Sequence, residues 1–226
     1  MNSRIKDIPL RFNEKAVLRL LGRRRPDHHA DISPRLRRQL DKGWEDIQHT
    51  ARPEALYAAY PAQGRERGVL VNGECPFHSR SLSRIFHNCE QAVVFVTTLG
   101  GDVDDLILNR LKSRPSYASI LDAAASAAVE SAADHVEKHI RERLGQGWDT
   151  TRRYSPGHCD WPVRDQKRLF SLLPHHHLRI RLTEGSHMSP RKSLSGIIGV
   201  FPEDHMPWNG NACLFCQNID CPHRRN

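Results

Sequence analysis

The sequence is short of apolar residues. They fill 38% of its 226 positions, below the roughly 45–50% of an average globular chain. A chain of this length can still bury most of the apolar surface it has. The longest apolar run, Gln91 to Leu99, is too short to cross a bilayer, which excludes a transmembrane helix. Met1 to Leu10 alternates polar and apolar residues and has no continuous apolar stretch. No secretory signal is visible there, and a cytoplasmic location is expected. There is no internal repeat and no low-complexity segment. Gly100-Gly101 follows an apolar run but lacks the third glycine of a dinucleotide-binding turn. Aromatics are few, at 7%, and few of them lie among the basic residues. With no recognisable nucleic-acid motif, this argues against a nucleic-acid partner. The charged share of 27% is ordinary and excludes wholesale disorder.

Charge is plentiful but uneven. The net charge is +8. Residues 1–70 hold 15 Lys/Arg against 9 Asp/Glu, with clusters at Arg23–Arg25 and at Arg35, Arg37 and Arg38. A basic face of this kind favours an acidic partner, or is simply a solvated helical surface. The six cysteines fall into two groups. Cys75, Cys89 and Cys159 are scattered, whereas Cys213, Cys216 and Cys221 lie within nine residues. In a reducing compartment such a cluster points to metal or redox chemistry rather than to disulfides.

Periodicity predicts the elements. Ala16, Val17, Leu20 and Leu21 have helical spacing, and Gly22 stops that helix. Ser33-Pro34 starts a second helix that runs to about His49. Pro53 opens a short helix holding Leu56 and Tyr57, and Gly68 to Val71 reads as a strand. A helix over Ser79–Asn88 precedes a buried strand over Ala92–Leu99, rich in β-branched residues. Asp102 caps the next helix, with Val103, Leu106, Ile107 and Leu111 inward. The longest helix runs from about Ser116 to Leu144 and ends at Gly145. Its apolar positions are Leu121, Ala125, Val129, Ala132, Val136, Ile140 and Leu144. A neighbouring face of Ala123, Ala127, Glu130 and Asp134 combines small side chains with two carboxylates. Tyr154–His158 is a turn-rich loop, Val163–Leu173 a helix, and His175–His177 a solvated loop. Leu178–Thr183 and Leu194–Phe201 are strands. The expected fold class is α+β, with helices packed around a short mixed or antiparallel twisted sheet. Three regions are expected: a basic helical region over 1–67, a core over 68–204, and a cysteine hook over 205–226.

Two segments carry more than periodicity. The first is Arg153-Tyr154-Ser155-Pro156-Gly157-His158, followed by Asp160-Trp161-Pro162 and a helix. The second is Leu182-Thr183-Glu184-Gly185-Ser186-His187-Met188-Ser189-Pro190, followed by Ser193-Leu194-Ser195-Gly196. In this order they resemble the activation domain of cobalamin-dependent methionine synthase, which binds S-adenosylmethionine. The family pattern is Arg-x-x-Pro-Gly-Tyr, a helix, Leu-Thr-Glu-Ser-x-x-Met-x-Pro, then Ser-Val-Ser-Gly. Upstream, Asn88-Cys89-Glu90-Gln91-Ala92, Thr98-Leu99-Gly100, Leu121-Asp122-Ala123 and Val129-Glu130 are similar to short, free-standing forms of that domain. The resemblance covers about residues 70–201.

It implies a methionine synthase activation domain-like fold. It also implies S-adenosylmethionine contacts from Glu130, Arg153, Ser155, Gly157 and His158. An arginine fork suits the ligand's carboxylate. A Pro-Gly turn would expose backbone donors, and a carboxylate such as Glu130 suits the ammonium or ribose. His158 stands where the family has a tyrosine between ligand and corrin; imidazole is flat, hydrogen-bonds and titrates near neutral pH. The implied activity is that of a methyltransferase component that rescues oxidised corrinoid by reductive methylation of cob(II)alamin. No side-chain nucleophile is required, and no catalytic triad is seen. The cobalamin would be carried by a partner corrinoid protein or methionine synthase core, because the chain lacks the Asp-x-His-x-x-Gly motif of cobalamin modules. A flavodoxin- or ferredoxin-like protein would supply the electron. Cys213-x2-Cys216-x4-Cys221 has the spacing of a zinc or iron–sulfur site, with His223, His205 or Cys159 as a fourth ligand. Two rival readings stay open. One is an activator of a different corrinoid methyltransferase system that uses an iron–sulfur hook. The other is a basic nucleic-acid-binding protein with a zinc hook.

Overall fold

The computed structural model describes residues 2–23 and 32–205. Its centre is the strand β5 (Gln91–Thr98), in which every residue after Gln91 is buried. Such a run must be covered on both faces and hydrogen-bonded on both edges. Its edges pair antiparallel with β2 (Glu54–Arg65) and β9 (Ser193–Pro202), placing Val94 opposite both Ala58 and Ile197. The other edge of β2 is shared. β1 (Asn2–Ile5) pairs with Ala55–Ala58, and β3 (Gly68–Val71) pairs with Ala62–Arg65. β4 (Cys75–His78) continues from β3, and β6 (Trp148–Thr150) closes the far edge on β9. The result is a seven-stranded antiparallel sheet, β4-β3-β2-β5-β9-β6 with β1 on β2. A separate two-stranded ribbon joins β7 (Arg181–Leu182) to β8 (Met188–Ser189).

The helices start where local chemistry lets them. Asn13 Oδ1 accepts from Ala16 N–H to open α1 (Glu14–Leu20), and Ser33 Oγ accepts from Leu36 N–H to open α2 (Pro34–Thr50). Ser79 Oγ does the same for Leu82 N–H at α3 (Arg80–Ile85). α4 (Gly101–Ser113) starts after Gly100, whose φ of +88° admits no ordinary side chain. α5 (Pro115–Arg141) spans about 40 Å at 1.5 Å per residue. Its many alanines let both the sheet and the other helices approach closely. Ala132, Ala133, Val136 and Ile140 pack on Val93, Phe95, Ile198 and Val200 of the sheet. Further toward its start, Leu121, Ala124 and Ala128 join Val17 of α1, Leu40 and Ile47 of α2 and Val103 of α4. The opposite sheet face, with Val94, Val96 and Ile197, is covered by α3, Trp161 and α6 (Gln166–Ser171). Both faces are therefore closed by helical segments, and the fold is α+β. Among the described residues no helix is long and apolar enough to cross a membrane.

Several elements differ from the sequence expectation. The short helix expected after Pro53 is β2: eight of its residues pair with β5, and this pairing overrides the helix preference of its alanines. The region over 1–67 thus contributes two strands, β1 and β2, besides helices. Asp102 lies in the first turn of α4 and is not its cap. Leu111 is exposed rather than inward, because α4 meets α5 through Val103 and Ile107. The helix expected over Val163–Leu173 begins as a 3-10 turn at Val163–Asp165 before α6. His175–Leu178 is another 3-10 turn, and only Arg181–Leu182 of the strand expected over Leu178–Thr183 pairs. All pairing in the main sheet is antiparallel, which narrows the mixed-or-antiparallel expectation.

Candidate functional site

Residues four and three apart on a helix share a face. Glu130, Asp134 and Glu137 therefore form one acidic stripe on α5. The segment after β6 meets this stripe. Thr151 donates its N–H to Gly199 O at 2.9 Å, and Tyr154 exchanges backbone hydrogen bonds with Ile197 at 2.9 and 2.8 Å. Gly196 allows this approach, since a Cβ there would stand 2.8 Å from Tyr154 O. Extended backbone sends successive side chains to opposite faces. Tyr154 joins the core beneath α3, and Arg153 turns toward α5.

Arg153 is the hub of the site. Its Nη1 donates to Asp134 Oδ1 and Glu137 Oε2, each at 2.6 Å, and its Nη2 donates to Glu130 Oε2 at 2.7 Å. Its backbone N–H also donates to Glu137 Oε1 at 3.2 Å. The side chain is only 3% exposed, against 40%, 66% and 14% for Glu130, Asp134 and Glu137. Burial alone would lower the guanidinium's pKa; the three carboxylates outweigh it and push the value above the ordinary arginine range. The cluster holds one positive and three negative charges.

The loop that follows is locked onto the core. Gly157, at φ +93°, donates its N–H to Trp161 O at 2.8 Å, and His158 N–H donates to Ser155 O at 3.1 Å. These donors are used inside the turn, so the Pro156-Gly157 turn does not present them outward as the sequence suggested. Tyr154 Oη donates to His158 O at 3.0 Å. Trp161, almost fully buried, stacks on Tyr154 with ring centres 5.7 Å apart, meets Phe77 edge-on, and donates Nε1–H to Asp165. Asp160 fastens the loop to α3, accepting from Ser79 Oγ at 2.7 Å and Arg80 N–H at 2.5 Å. Partial burial would raise the Asp160 pKa; the bonds from Ser79, Ser81 and Arg80 outweigh that and hold it below the usual carboxylate value.

A cavity of about 900 Å³ lies between α5, the stretch Pro9–Leu20 and the start of β9. Its volume suits a small-molecule ligand. Glu130, Asp134 and Arg153 form one wall, and His158 also lines it. Arg11, Lys15 and Arg19 stand on the other side at intervals of four, and Arg191 and Lys192 lie just before β9. Lys192 uses its ammonium on Asp122 Oδ1 at 2.8 Å, Asp122 O at 3.0 Å and Ser126 Oγ at 2.9 Å. One wall is thus acidic and the other basic, an arrangement suited to a ligand that carries both charges.

Of the residues expected at the site, Glu130, Arg153 and His158 line this cavity, while Ser155 and Gly157 sit in the adjoining turn and not on its wall. Ser155 is buried. Glu137 and the basic row at Arg11, Lys15 and Arg19 were not singled out from sequence. The signals were there: Glu137 stands seven residues after Glu130, and the basic residues recur every four. Cys213, Cys216 and Cys221 lie outside the described residues. Among the described residues, no group of three His, Cys, Asp or Glu is placed to hold a metal ion. Cys89 is buried beneath the sheet, and burial pushes its thiol up to about 12.

No protein-family model matches the sequence, and no curated protein matches it. The three-dimensional structure is similar to a crystal structure of the MetH reactivation domain bound to AdoHcy. The TM-score is 0.66 at 15% sequence identity, covering 90% of this chain and 79% of that one. The chain has the α+β fold of that domain, an antiparallel sheet with helices on its faces.

Proposed function

We propose that this chain is a reactivation component of a cobalamin-dependent methionine synthase, and that its cavity binds S-adenosylmethionine. The observation that carries this reading is the meeting of Glu130 and Arg153. They are 23 positions apart, both are expected at the ligand from the sequence resemblance, and they touch at 2.7 Å on the wall of a 900 Å³ cavity. The similar domain in the solved structure binds AdoHcy, the demethylated form of the same ligand.

The residues fit the ligand's chemistry. S-adenosylmethionine carries an ammonium, a sulfonium and a carboxylate. Glu130 and Asp134 face the two cations, and their fixed placement by Arg153 avoids reorganisation on binding. Ser155 and Gly157 shape the turn that holds His158 at the cavity, where its ring lies between the ligand and an approaching corrin. Bound there, S-adenosylmethionine would supply a methyl group to a corrinoid carried by a partner protein or methionine synthase core. A flavodoxin- or ferredoxin-like donor would deliver the electron. Cys213, Cys216 and Cys221, outside the described residues, belong to the same proposal as ligands of an iron–sulfur cluster or zinc.

The test is methyl transfer. The chain is incubated with methyl-labelled S-adenosylmethionine, a reductant and a corrinoid protein holding cob(II)alamin. Label is expected on the corrinoid only when the chain is present. Equal labelling with and without the chain would refute the reactivation role.

A further inference from the structure

We propose that the carboxylate of the ligand is held by Arg11, and that Arg153 is a positioning residue. This rests on the reading of the cavity as an S-adenosylmethionine site.

Arg153 is already committed to carboxylates: Nη1 donates to two of them at 2.6 Å and Nη2 to a third at 2.7 Å. The side chain is 3% exposed. An incoming carboxylate would meet Glu130 and Asp134, the exposed members of the cluster, before it met the guanidinium. Like charges at such distances repel, and the surplus of negative charge makes this wall a place for cations. Glu137, the least exposed of the three carboxylates, grips both the side chain and the backbone N–H of Arg153. Arg153 therefore holds the acidic wall in register.

Arg11 lines the same cavity and is exposed. Among the described residues no carboxylate pairs with its guanidinium. Its backbone N–H donates to Ser131 Oγ at 2.8 Å, one position beyond Glu130. The root of the Arg11 side chain is thus fixed beside the acidic wall. The α-ammonium and α-carboxylate of an amino acid sit on one carbon, so their receptors must be neighbours; the Arg11 backbone is anchored at Ser131, next to Glu130 in the chain, and both side chains line the cavity. The other cations meet that demand less well, and Lys15 is already engaged. Lys192 is spent on Asp122 and Ser126, and Arg191 leans on Asp122 at 3.8 Å. Arg19 lies in the last turn of α1, eight positions along the chain from Arg11.

The test compares S-adenosylmethionine with its decarboxylated analogue by calorimetry. The wild-type protein is expected to prefer the carboxylate-bearing ligand by about tenfold to a hundredfold, the size of one charge-assisted contact. Arg11→Ala is expected to erase that preference without weakening the decarboxylated analogue; its melting temperature reports whether the variant is folded. Arg153→Lys is expected to weaken both ligands equally and keep the preference. If the preference survives in Arg11→Ala, or disappears in Arg153→Lys with affinity for the analogue intact, the assignment to Arg11 is overturned while the ligand site stands. If the wild-type protein binds neither ligand, the reading of the cavity falls, and this inference with it.

Discussion

Arg153→Met is expected to lower the melting temperature by about 5–10 °C and to remove most of the affinity for S-adenosylmethionine. Removing one partner of a buried ion cluster costs about 3–5 kcal/mol when the rest stays desolvated. Here Glu130 and Asp134 are 40% and 66% exposed and water can screen them, so about 2–3 kcal/mol is the better expectation. In a domain of this size that is several degrees. Methionine keeps much of the arginine's bulk, so the loss reports charge rather than a cavity. Glu137→Gln on the same background is expected to restore part of the stability, because Glu137 is the least exposed of the three carboxylates and suffers most from the missing charge. Thermal melts of the two single variants and the double variant close the cycle. Strict additivity would mean that the 2.6 Å contact between Arg153 and Glu137 contributes little.

Trp161→Ala is expected to be the most destabilising single change in the loop. The indole is 1% exposed and lies under the turn that carries His158. Truncating a buried tryptophan costs about 3–5 kcal/mol through lost transfer energy and the void left behind. Tyr154 loses its stacked neighbour, Phe77 its edge contact, and the buried Asp165 a donor. Tyr154 is one residue from Arg153 and holds His158 by its carbonyl, so the damage should reach the cavity. Trp161→Phe, which keeps an aromatic ring beneath the turn, is expected to recover most of the melting temperature and the ligand affinity together. Recovery of stability without affinity would separate the loop from the site.

The parts of this architecture that were legible in sequence are those where one local signal dominates. β5 is a run of β-branched residues, α5 repeats its apolar positions every three or four residues, and Ser33 caps the helix it precedes. β2 was not legible. Its stretch Ala55-Leu56-Tyr57-Ala58-Ala59 is rich in a helix-forming residue, and only its pairing with β5, distant in sequence, makes it a strand. The segments over 163–183 are too short for their own periodicity to decide. They take their shape from the sheet beneath them, to which Leu172 is tied by the Tyr60 hydroxyl. At the site, Glu130 and Arg153 were legible because their motifs resemble a known domain. Arg11, Lys15 and Arg19 were not singled out, because which side of α1 and of the stretch before it meets a cavity is decided by packing against α5. The bonding of Arg153 to three carboxylates was equally hidden. The stripe on α5 is visible in the sequence, but the side from which the arginine arrives depends on the alternation that starts at Thr151.

The most direct test of the account is calorimetric titration of the wild-type protein with S-adenosylmethionine and with AdoHcy. Saturable one-to-one binding of S-adenosylmethionine is expected, with AdoHcy weaker because it brings no sulfonium charge to Glu130 and Asp134. The absence of saturable binding of either ligand at concentrations up to about 1 mM, a standard free energy weaker than about −4 kcal/mol, would contradict it.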